Sequence, residues 1–274
     1  RFGSFERCTK IRPIDDIDLM LCLSGEGTRT YMQSGDVFYI NGSDSDSENG
    51  LMTDNTNYLN STKVINRFIT KLSDLQDYSK AEMHKNHEAA TLQLKSYTWN
   101  FDIVPCFYTY TDFYLIPDGS GNWKKTDPRI DNERITDINQ KHNGKLLELV
   151  RLAKYWNNRK VTIRIGSYLL ECMILQKYES KEASEKWWID LEFIDLLKYL
   201  SSAILSDVDD PKGIQGNLNS FCGDDRCKIS DALTNAYNKA VEASNKELND
   251  KDQKGAIMKW REVLGNDFPE YTGE

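Results

Sequence analysis

The first half of the chain carries hydrophobic residues in the alternating or short continuous runs that are typical of β-strands. Residues 16–23 (DIDLMLCL) predict a buried strand, and DVFYI within residues 35–50 predicts a second, shorter one. Residues 91–107 (TLQLKSYTWNFDIVPCF) alternate at first and then become continuously apolar, which predicts a strand with one packed face. The turn-forming residues between 115 and 128 predict a hairpin tip or a loop.

One helix is predicted among these strands. From residue 60 onward, apolar side chains recur at intervals of three and four behind an Asn-Ser-Thr N-cap region, which predicts an amphipathic helix. Its predicted core stripe consists of Val64, Ile65, Phe68, Ile69, Leu72 and Leu75. The polar stretches on either side predict solvated surface loops rather than metal sites; they are NGSDSDSENG and KAEMHKNHEA, the second of which contains His84 and His87.

Helical spacing dominates the chain from about residue 130 to its end. The predicted helices lie roughly at residues 143–157, 166–179, 187–205, 229–249 and 252–264. We therefore predict an α+β protein, with a mixed sheet and helices in residues 1–130 and an all-helical region in residues 131–274.

The stretch GSFERCTKIRPIDDID carries the first candidate chemistry. Asp16 and Asp18 alternate within the predicted strand, so their carboxylates project from one face, where a cation would relieve their repulsion. Gly3 and Ser4, just upstream, offer an open backbone and a hydroxyl, which suit a triphosphate. A solvated strand end is the simpler alternative, but the combination favours a metal-dependent nucleotide enzyme.

Two-metal nucleotidyl transfer needs a further acidic ligand, and Asp102 is the candidate. It stands between Phe101 and Ile103 in the apolar run FDIVP, where an unpaired charge would cost several kcal/mol to bury. A cation shared with Asp16 and Asp18 would explain this position.

Composition narrows the class of partner. The 274 residues are 39% hydrophobic and 28% charged, which is enough for one large or two medium-sized cores. The net charge is −8 and the pI is near 5.1, a balance that favours small nucleotides over a long nucleic acid. No apolar run is long enough for a transmembrane helix, and the first residues do not resemble a signal peptide.

The six cysteines are scattered, and several lie in apolar runs, which predicts reduced core thiols and a cytoplasmic protein. Cys222 and Cys227 enclose four residues without a second cysteine pair or clustered histidines, so a zinc site there is the less favoured alternative. Because the chain begins at Arg1 almost directly in the Gly-Ser motif, we expect that residues upstream of this sequence are missing.

The spacing G-S-x(11)-D-h-D-h, followed much later by h-D-h in FDIVP, resembles the polymerase-β-type nucleotidyltransferase superfamily. Within it, GSFERCT is similar to 2′-5′-oligoadenylate synthetases and to bacterial CD-NTases (cGAS/DncV-like nucleotidyltransferases) of anti-phage CBASS operons. Further segments agree in order across nearly the whole chain, namely FDIVPCF, NWKKTDP, LVRLAKYWN, GSYLLE and MKWREVLGNDFP. The bacterial CD-NTases are the group that the chain resembles most.

This resemblance implies a catalytic lobe and a helical lobe, with nucleotides bound in the cleft between them. Asp16, Asp18 and Asp102 would hold two Mg²⁺ ions, with Mn²⁺ as the alternative metal. Gly3 and Ser4 would contact the β- and γ-phosphates of the donor.

In the helical region, the resemblance assigns nucleotide contacts to three more residues. Lys154 would reach the triphosphate, Ser167 would contact a phosphate, and Tyr168 would stack on a base. A surface lysine and a core tyrosine are the structural alternatives, although Lys154 adjoins Ala153 of the buried stripe.

The function implied is synthesis of a cyclic di- or trinucleotide second messenger from NTPs, ATP among them, in anti-phage signalling. The diffusible product would reach a downstream effector, and the enzyme itself is expected to be a monomer. Two alternatives stay open, a linear 2′-5′ oligoadenylate synthase and a catalytically silent nucleotide-binding relative.

Overall fold

The computed structural model describes residues 1–11, 16–25, 27, 29–78, 80–160 and 162–273. The chain divides into two compact units, Arg1–Asp131 and Asn132–Glu274, which we call unit 1 and unit 2. The boundary expected from the sequence lies after residue 130.

Unit 1 is built on a mixed sheet. Its described strands, in chain order, are β1 (Asp16–Cys22), β2 (Tyr31–Ser34), β3 (Val37–Ile40), β4 (Glu82–Asn86), β5 (Ala89–Gln93), β6 (Asn100–Tyr108), β7 (Tyr114–Pro117) and β8 (Trp123–Thr126). They follow the order β2-β3-β8-β7-β6-β5-β4, in which all neighbours are antiparallel, and β1 joins β6 as a parallel partner. Strand β6 therefore lies at the centre of the pairing that positions the acidic residues.

The helices of unit 1 are short apart from one. They are α1 (Gly3–Glu6), α2 (Asp44–Glu48) and α3 (Ser61–Ser73), and a 3₁₀ turn follows at Gln76–Tyr78. The predicted amphipathic helix is confirmed as α3. The Asn60 side chain caps it by accepting a bond of 3.0 Å from the backbone N–H of Lys63. Val64 and Ile65 are buried, whereas Leu75 lies beyond the helix end and is 50% exposed.

Three predictions for unit 1 are wrong in detail. The stretch NGSDSDSENG contains helix α2, because Ser43 and Asp46 form a capping box and Asp44 adds a second acid to the first turn. The stretch KAEMHKNHEA contains β4, a polar strand that lies at the end of the described strand order and pairs with β5.

The third correction concerns residues 91–107, which form parts of two antiparallel strands, β5 and β6, rather than one. The connection at residues 94–99 contains no glycine or proline, so its sequence gives little sign of a turn. The hairpin predicted between 115 and 128 is confirmed as β7–β8. At its tip, Asp118 accepts backbone bonds from Ser120 and Asn122 at 2.7 and 3.0 Å.

Unit 2 is helical, as predicted. Its described helices are α4 (Pro128–Lys141, which begins at the end of unit 1), α5 (Leu146–Lys160), α6 (Ser167–Ser180), α7 (Ile189–Ala203), α8 (Gly223–Leu248) and α9 (Gln253–Leu264). The periodicity missed α4, which is mostly polar and buries only a few apolar side chains such as Ile135 and Ile138. Helix α8 also begins earlier than predicted, because Asp224 and Asp225 favour its first turn.

A hydrophobic cluster of described residues supports unit 2, and α6 contributes Leu170, Met173 and Ile174, which are almost fully buried. Within the described part of the chain, no helix combines the length and the apolar character that crossing a bilayer requires.

Candidate active site

The parallel pairing of β1 and β6 brings two of the predicted acidic residues together. Asp18 is the register partner of Asp102, and both are half-buried. Neighbouring strands lie about 4.8 Å apart, and partners in register project from the same face of a sheet. The two carboxylates therefore lie side by side.

Asp16 lies on the same face of β1, one alternation before Asp18, and it forms an ion pair with Lys10. Its side chain is 38% exposed. Among the described residues, no three acidic, histidine or cysteine side chains are grouped closely enough to hold a metal ion. The three acids thus share one face and one strand pair without forming a closed ligand cluster.

The electrostatics at Asp18 fit a cation. Burial, followed by the nearby charges of Asp16 and Asp102, raises the pKa of Asp18 from its ordinary 3.8 to about 6, although Lys10 and Arg7 act in the opposite direction. A carboxylate whose ionised form is disfavoured in this way is stabilised when a divalent ion binds beside it. Three carboxylates are also the oxygen ligands that Mg²⁺ prefers.

The pKa of Asp18 predicts a pH dependence of stability for the metal-free protein. The folded state holds this proton more tightly than the unfolded chain, so the stabilisation is complete below pH 3.8 and is lost as the pH rises through about 6. Allowing for solvent screening, we expect the free energy of unfolding to fall by about 1–2 kcal/mol from this source. Denaturant unfolding in EDTA at pH 5, 6 and 7 measures the change, and Asp18→Asn should remove this component from the curve.

The predicted phosphate loop lies directly against Asp18. The backbone N–H of Phe2 donates to the carbonyl of Asp18 at 3.2 Å, which places Gly3 over that residue. Gly3 has a φ of +73°, and a Cβ added to it would lie 1.9 Å from Oδ2 of Asp18. The position requires glycine on both counts.

Ser4 and Thr9 fix the rest of this loop. The carbonyl of Ser4 accepts bonds from the backbone N–H groups of Thr9 and Lys10 at 3.0 and 3.1 Å. Thr9 is fully buried, which agrees with a role in holding the loop. Gly3 and Ser4 thus belong to the same local structure as Asp18.

Gly3→Ala is expected to lower the predicted nucleotidyltransferase activity about a hundredfold, because the new methyl group must displace the carboxylate of Asp18. The left-handed backbone would add about 1–2 kcal/mol of strain. Steady-state kinetics measure the first effect and denaturant unfolding the second. Gly35→Ala is the matched control, since Gly35 also has a positive φ but nothing lies within 4 Å of its added Cβ. Equal losses of activity in both variants would contradict the steric explanation.

A residue that sequence reasoning missed, Thr91, orients Asp102. Its Oγ1 donates a bond of 2.5 Å to Oδ1 of Asp102 from the register position opposite on β5, and Thr91 is only 3% exposed. Threonine is an ordinary strand residue, so the only available signal was its place at the start of the segment TLQLK.

Thr91→Val is expected to lower activity by about ten- to a hundredfold, the usual effect of removing a group that orients a ligating side chain. Thr91→Ser keeps the hydroxyl and should retain most of the activity. Rates measured across a range of Mg²⁺ concentrations test this, and equal rates for wild type and the valine variant would contradict it.

Unit 2 contains the three other predicted nucleotide contacts. Lys154 is buried and forms an ion pair with Glu171, which connects α5 with α6; the two side chains are 5% and 2% exposed. Periodicity placed Lys154 next to the buried stripe, but it gave no sign of Glu171 as a partner.

Ser167 and Tyr168 open helix α6, where Ser167 is exposed and Tyr168 is half-buried. The hydroxyl of Tyr168 donates to Oδ1 of Asp210 at 2.9 Å and accepts from Nζ of Lys212 at 2.6 Å. The Lys212 ammonium also lies 4.1 Å from the centre of the tyrosine ring. The sequence predicted neither partner, because both lie in the segment DPKG (residues 210–213), whose composition is that of an ordinary turn.

Cys222 and Cys227 lie at the start of α8 and are exposed, reduced thiols. Among the described residues, no group of three or more metal-binding side chains surrounds this pair.

Comparison with known proteins places the chain in a family. The model of the Second Messenger Oligonucleotide or Dinucleotide Synthetase domain (SMODS) matches residues 39–139. A probable cyclic nucleotide synthase of Bacillus cereus (strain VD146) is 42% identical over 278 residues, which cover 98% of this chain and 82% of that protein. A cyclic AMP-AMP-AMP synthase of Acinetobacter sp. is 28% identical over 204 residues, covering 71% of this chain and 57% of that protein.

Solved structures agree on the fold. CdnC of E. coli MS115-1, determined with ATP, has a TM-score of 0.67 at 17% identity, with 98% of this chain and 83% of that chain covered. The cyclic AMP-GMP synthase DncV of Vibrio cholerae also has a TM-score of 0.67, at 13% identity, with 98% and 69% covered. The polymerase-β-like nucleotidyltransferase fold is confirmed. The chain therefore belongs to the bacterial CD-NTase family, and it is a nucleotidyltransferase of the cyclic oligonucleotide synthase type.

Proposed function

We propose that this enzyme uses divalent metal ions to join NTPs, ATP among them, into a cyclic di- or trinucleotide that acts as a second messenger in anti-phage signalling. The observation that carries the proposal is the pairing of Asp18 with Asp102 on adjacent parallel strands, with Gly3 packed directly against Asp18. Two carboxylates beside an open backbone are what a metal-bound triphosphate requires.

In this proposal Asp16, Asp18 and Asp102 hold two Mg²⁺ ions, or Mn²⁺ in their place. When bound, the ions would lower the pKa of the attacking ribose hydroxyl and neutralise charge on the leaving pyrophosphate. Asp102 is kept in position by Thr91, and its carboxylate is the group that we assign to accept the proton of the hydroxyl.

The neighbouring loop binds the donor. Because Gly3 has no side chain, the loop packs directly against Asp18, and we assign the β- and γ-phosphates of the donor to its backbone and to the Ser4 hydroxyl in the same turn. The Lys10 ammonium pairs with Asp16 and keeps a positive charge at this edge of the site.

We assign the remaining nucleotide contacts to unit 2. Lys154 contacts the triphosphate, Ser167 a phosphate, and Tyr168 a base. The hydroxyl of Tyr168 is hydrogen-bonded to Asp210 and Lys212. These bonds hold the aromatic ring in one position, which favours its use as a stacking surface for a base.

Relatives support the choice of substrate and product. CdnC was solved with ATP, and the Acinetobacter relative is named as a cyclic AMP-AMP-AMP synthase. The signalling role and the effector reached by the diffusible product rest on the resemblance to CBASS enzymes. We further propose a cytoplasmic monomer. Light scattering of the isolated chain tests whether it is a monomer. The measurement uses the isolated chain because CdnC has also been solved in complex with a HORMA protein.

Incubation of the purified protein with all four labelled NTPs and Mg²⁺ tests the proposal, with and without EDTA. We expect a product that resists phosphatase, is made only when the metal is present, and has the mass of a cyclic di- or trinucleotide. A phosphatase-sensitive product would instead indicate a linear 2′-5′ oligoadenylate synthase, above all if double-stranded RNA stimulated its formation. Absence of product, together with absence of metal-dependent NTP binding by calorimetry, would indicate a catalytically silent nucleotide-binding relative.

A further inference from the structure

The strand pair that carries the acids also carries two thiols at its other end. Cys22 is the register partner of Cys106 on the last rung of β1 and β6, four residues beyond Asp18 and Asp102. Cys22 is exposed, whereas Cys106 is fully buried. Since four residues are two full alternations, both thiols lie on the face of the sheet that carries the acids.

The spacing of this rung suits a disulfide. Neighbouring strands lie about 4.8 Å apart, and disulfides join Cα atoms that are about 4.4–6.8 Å apart. Sγ of Cys22 donates to the carbonyl of Leu23 at 3.9 Å, and Cys22 lies close enough to Cys106 to raise the pKa of that thiol. Strong pairing holds the rung in register, because the backbone N–H of Leu23 donates to the carbonyl of Cys106 at 2.8 Å.

The two sulfurs differ in reactivity. Burial, together with the neighbouring Cys22, raises the pKa of Cys106 to about 12, so this residue stays a thiol at neutral pH. Cys22 lies at the surface, where a small reagent meets it first. The order of reaction follows from this difference in access.

We propose that Cys22 and Cys106 form a thiol-oxidation site, at which a low-molecular-weight disulfide such as glutathione disulfide modifies Cys22 and Cys106 then closes an intrachain bond. In the first step, the Cys22 thiolate attacks one sulfur of the reagent, the reagent's S–S bond breaks, and one thiol leaves with a proton. In the second step, Cys106 gives its proton to solvent and attacks Sγ of Cys22, and the second thiol leaves. Two protein thiols are oxidised while one disulfide is reduced to two thiols.

The bond would covalently tie the two strands that position Asp18 and Asp102. It is therefore a modification of the strand pair of the active site, although neither sulfur belongs to the proposed ligand set. The exposed pair Cys222 and Cys227 lacks a buried member, so we expect glutathione disulfide to leave that pair without the same ordered closure.

The experiment treats the full, reduced chain with glutathione disulfide, blocks the remaining thiols and maps the peptides by mass spectrometry. We expect a Cys22–Cys106 linked peptide that dithiothreitol removes. Cys106→Ser should stop at a mixed disulfide on Cys22, and Cys22→Ser should give neither product. Because serine would bury a hydroxyl, Cys106→Ala is run beside it.

Cys8→Ser is the matched control, since it removes an exposed cysteine of unit 1 outside this rung, and it should form the linked peptide as the wild type does. Three results would overturn the proposal: an unmodified Cys22, a mixed disulfide on Cys22 that persists beside an intact Cys106 thiol, or a bond from Cys22 to a different cysteine.

Discussion

Replacing Asp18 by asparagine is expected to lower kcat/KM for nucleotidyl transfer by at least about a thousandfold. The substitution removes the carboxylate whose pKa is raised by burial and by the nearby charges of Asp16 and Asp102. Metal-assisted stabilisation of the transition state amounts to several kcal/mol, and each 1.4 kcal/mol is about tenfold in rate. Initial rates at saturating Mg²⁺ measure the effect.

The same substitution should leave the fold intact or make it more stable. The ionised form of Asp18 is disfavoured in the metal-free protein, so a neutral side chain of the same shape relieves repulsion. We expect a free energy of unfolding at pH 7 that is equal to or about 1–2 kcal/mol above that of the wild type. Loss of activity with retained stability separates catalysis from folding.

Asp36→Asn is the matched control, because Asp36 is an exposed acid in the β2–β3 turn of the same unit. It carries the same change in charge and should keep full activity. An Asp18→Asn variant that retained more than a tenth of the wild-type rate would remove Asp18 from the proposed ligand set.

The sequence predicts which acidic residues of unit 1 share a face better than it predicts how the strands are connected. Alternation within β1 places Asp16 and Asp18 on one face, and the apolar surroundings of Asp102 mark it as an exception that needs a partner. The register that pairs Asp18 with Asp102 depends on two strands that are distant in the chain. Periodicity within one strand carries no information about that register.

Contacts between side chains of ordinary type were also invisible. Thr91 is a typical strand residue, and its bond to Asp102 exists only because β5 and β6 are antiparallel neighbours. In unit 2, apolar stripes predicted α5, α6, α7, α8 and α9, whereas α4 is mostly polar and its few apolar residues did not reveal a helix. Lys154 and Glu171 belong to different helices, so their pairing follows from helix packing and not from spacing.

Lys154→Met is expected to lower the free energy of unfolding by about 3–5 kcal/mol. It removes the Lys154 ammonium from beside the Glu171 carboxylate, whose side chain is 2% exposed inside the helical core. Thermal and denaturant unfolding measure the loss. Lys177→Met is a useful comparison, because Lys177 pairs with Asp195 at a more exposed site where the carboxylate is 49% exposed, and its removal should cost less than about 1 kcal/mol.

The double variant Lys154→Met/Glu171→Leu distinguishes the two roles of Lys154. Replacing both buried charges by apolar groups should restore most of the lost stability, because no uncompensated ion remains. If Lys154 also contacts the triphosphate, as proposed, this stable protein should still lose about ten- to a hundredfold in kcat/KM, the value of a charged hydrogen bond of about 1.5–3 kcal/mol. Wild-type kinetics in the stable double variant would instead show that Lys154 serves the core alone. Stability and kinetics have to be measured on the same double variant, since the single variant would lose activity under either role.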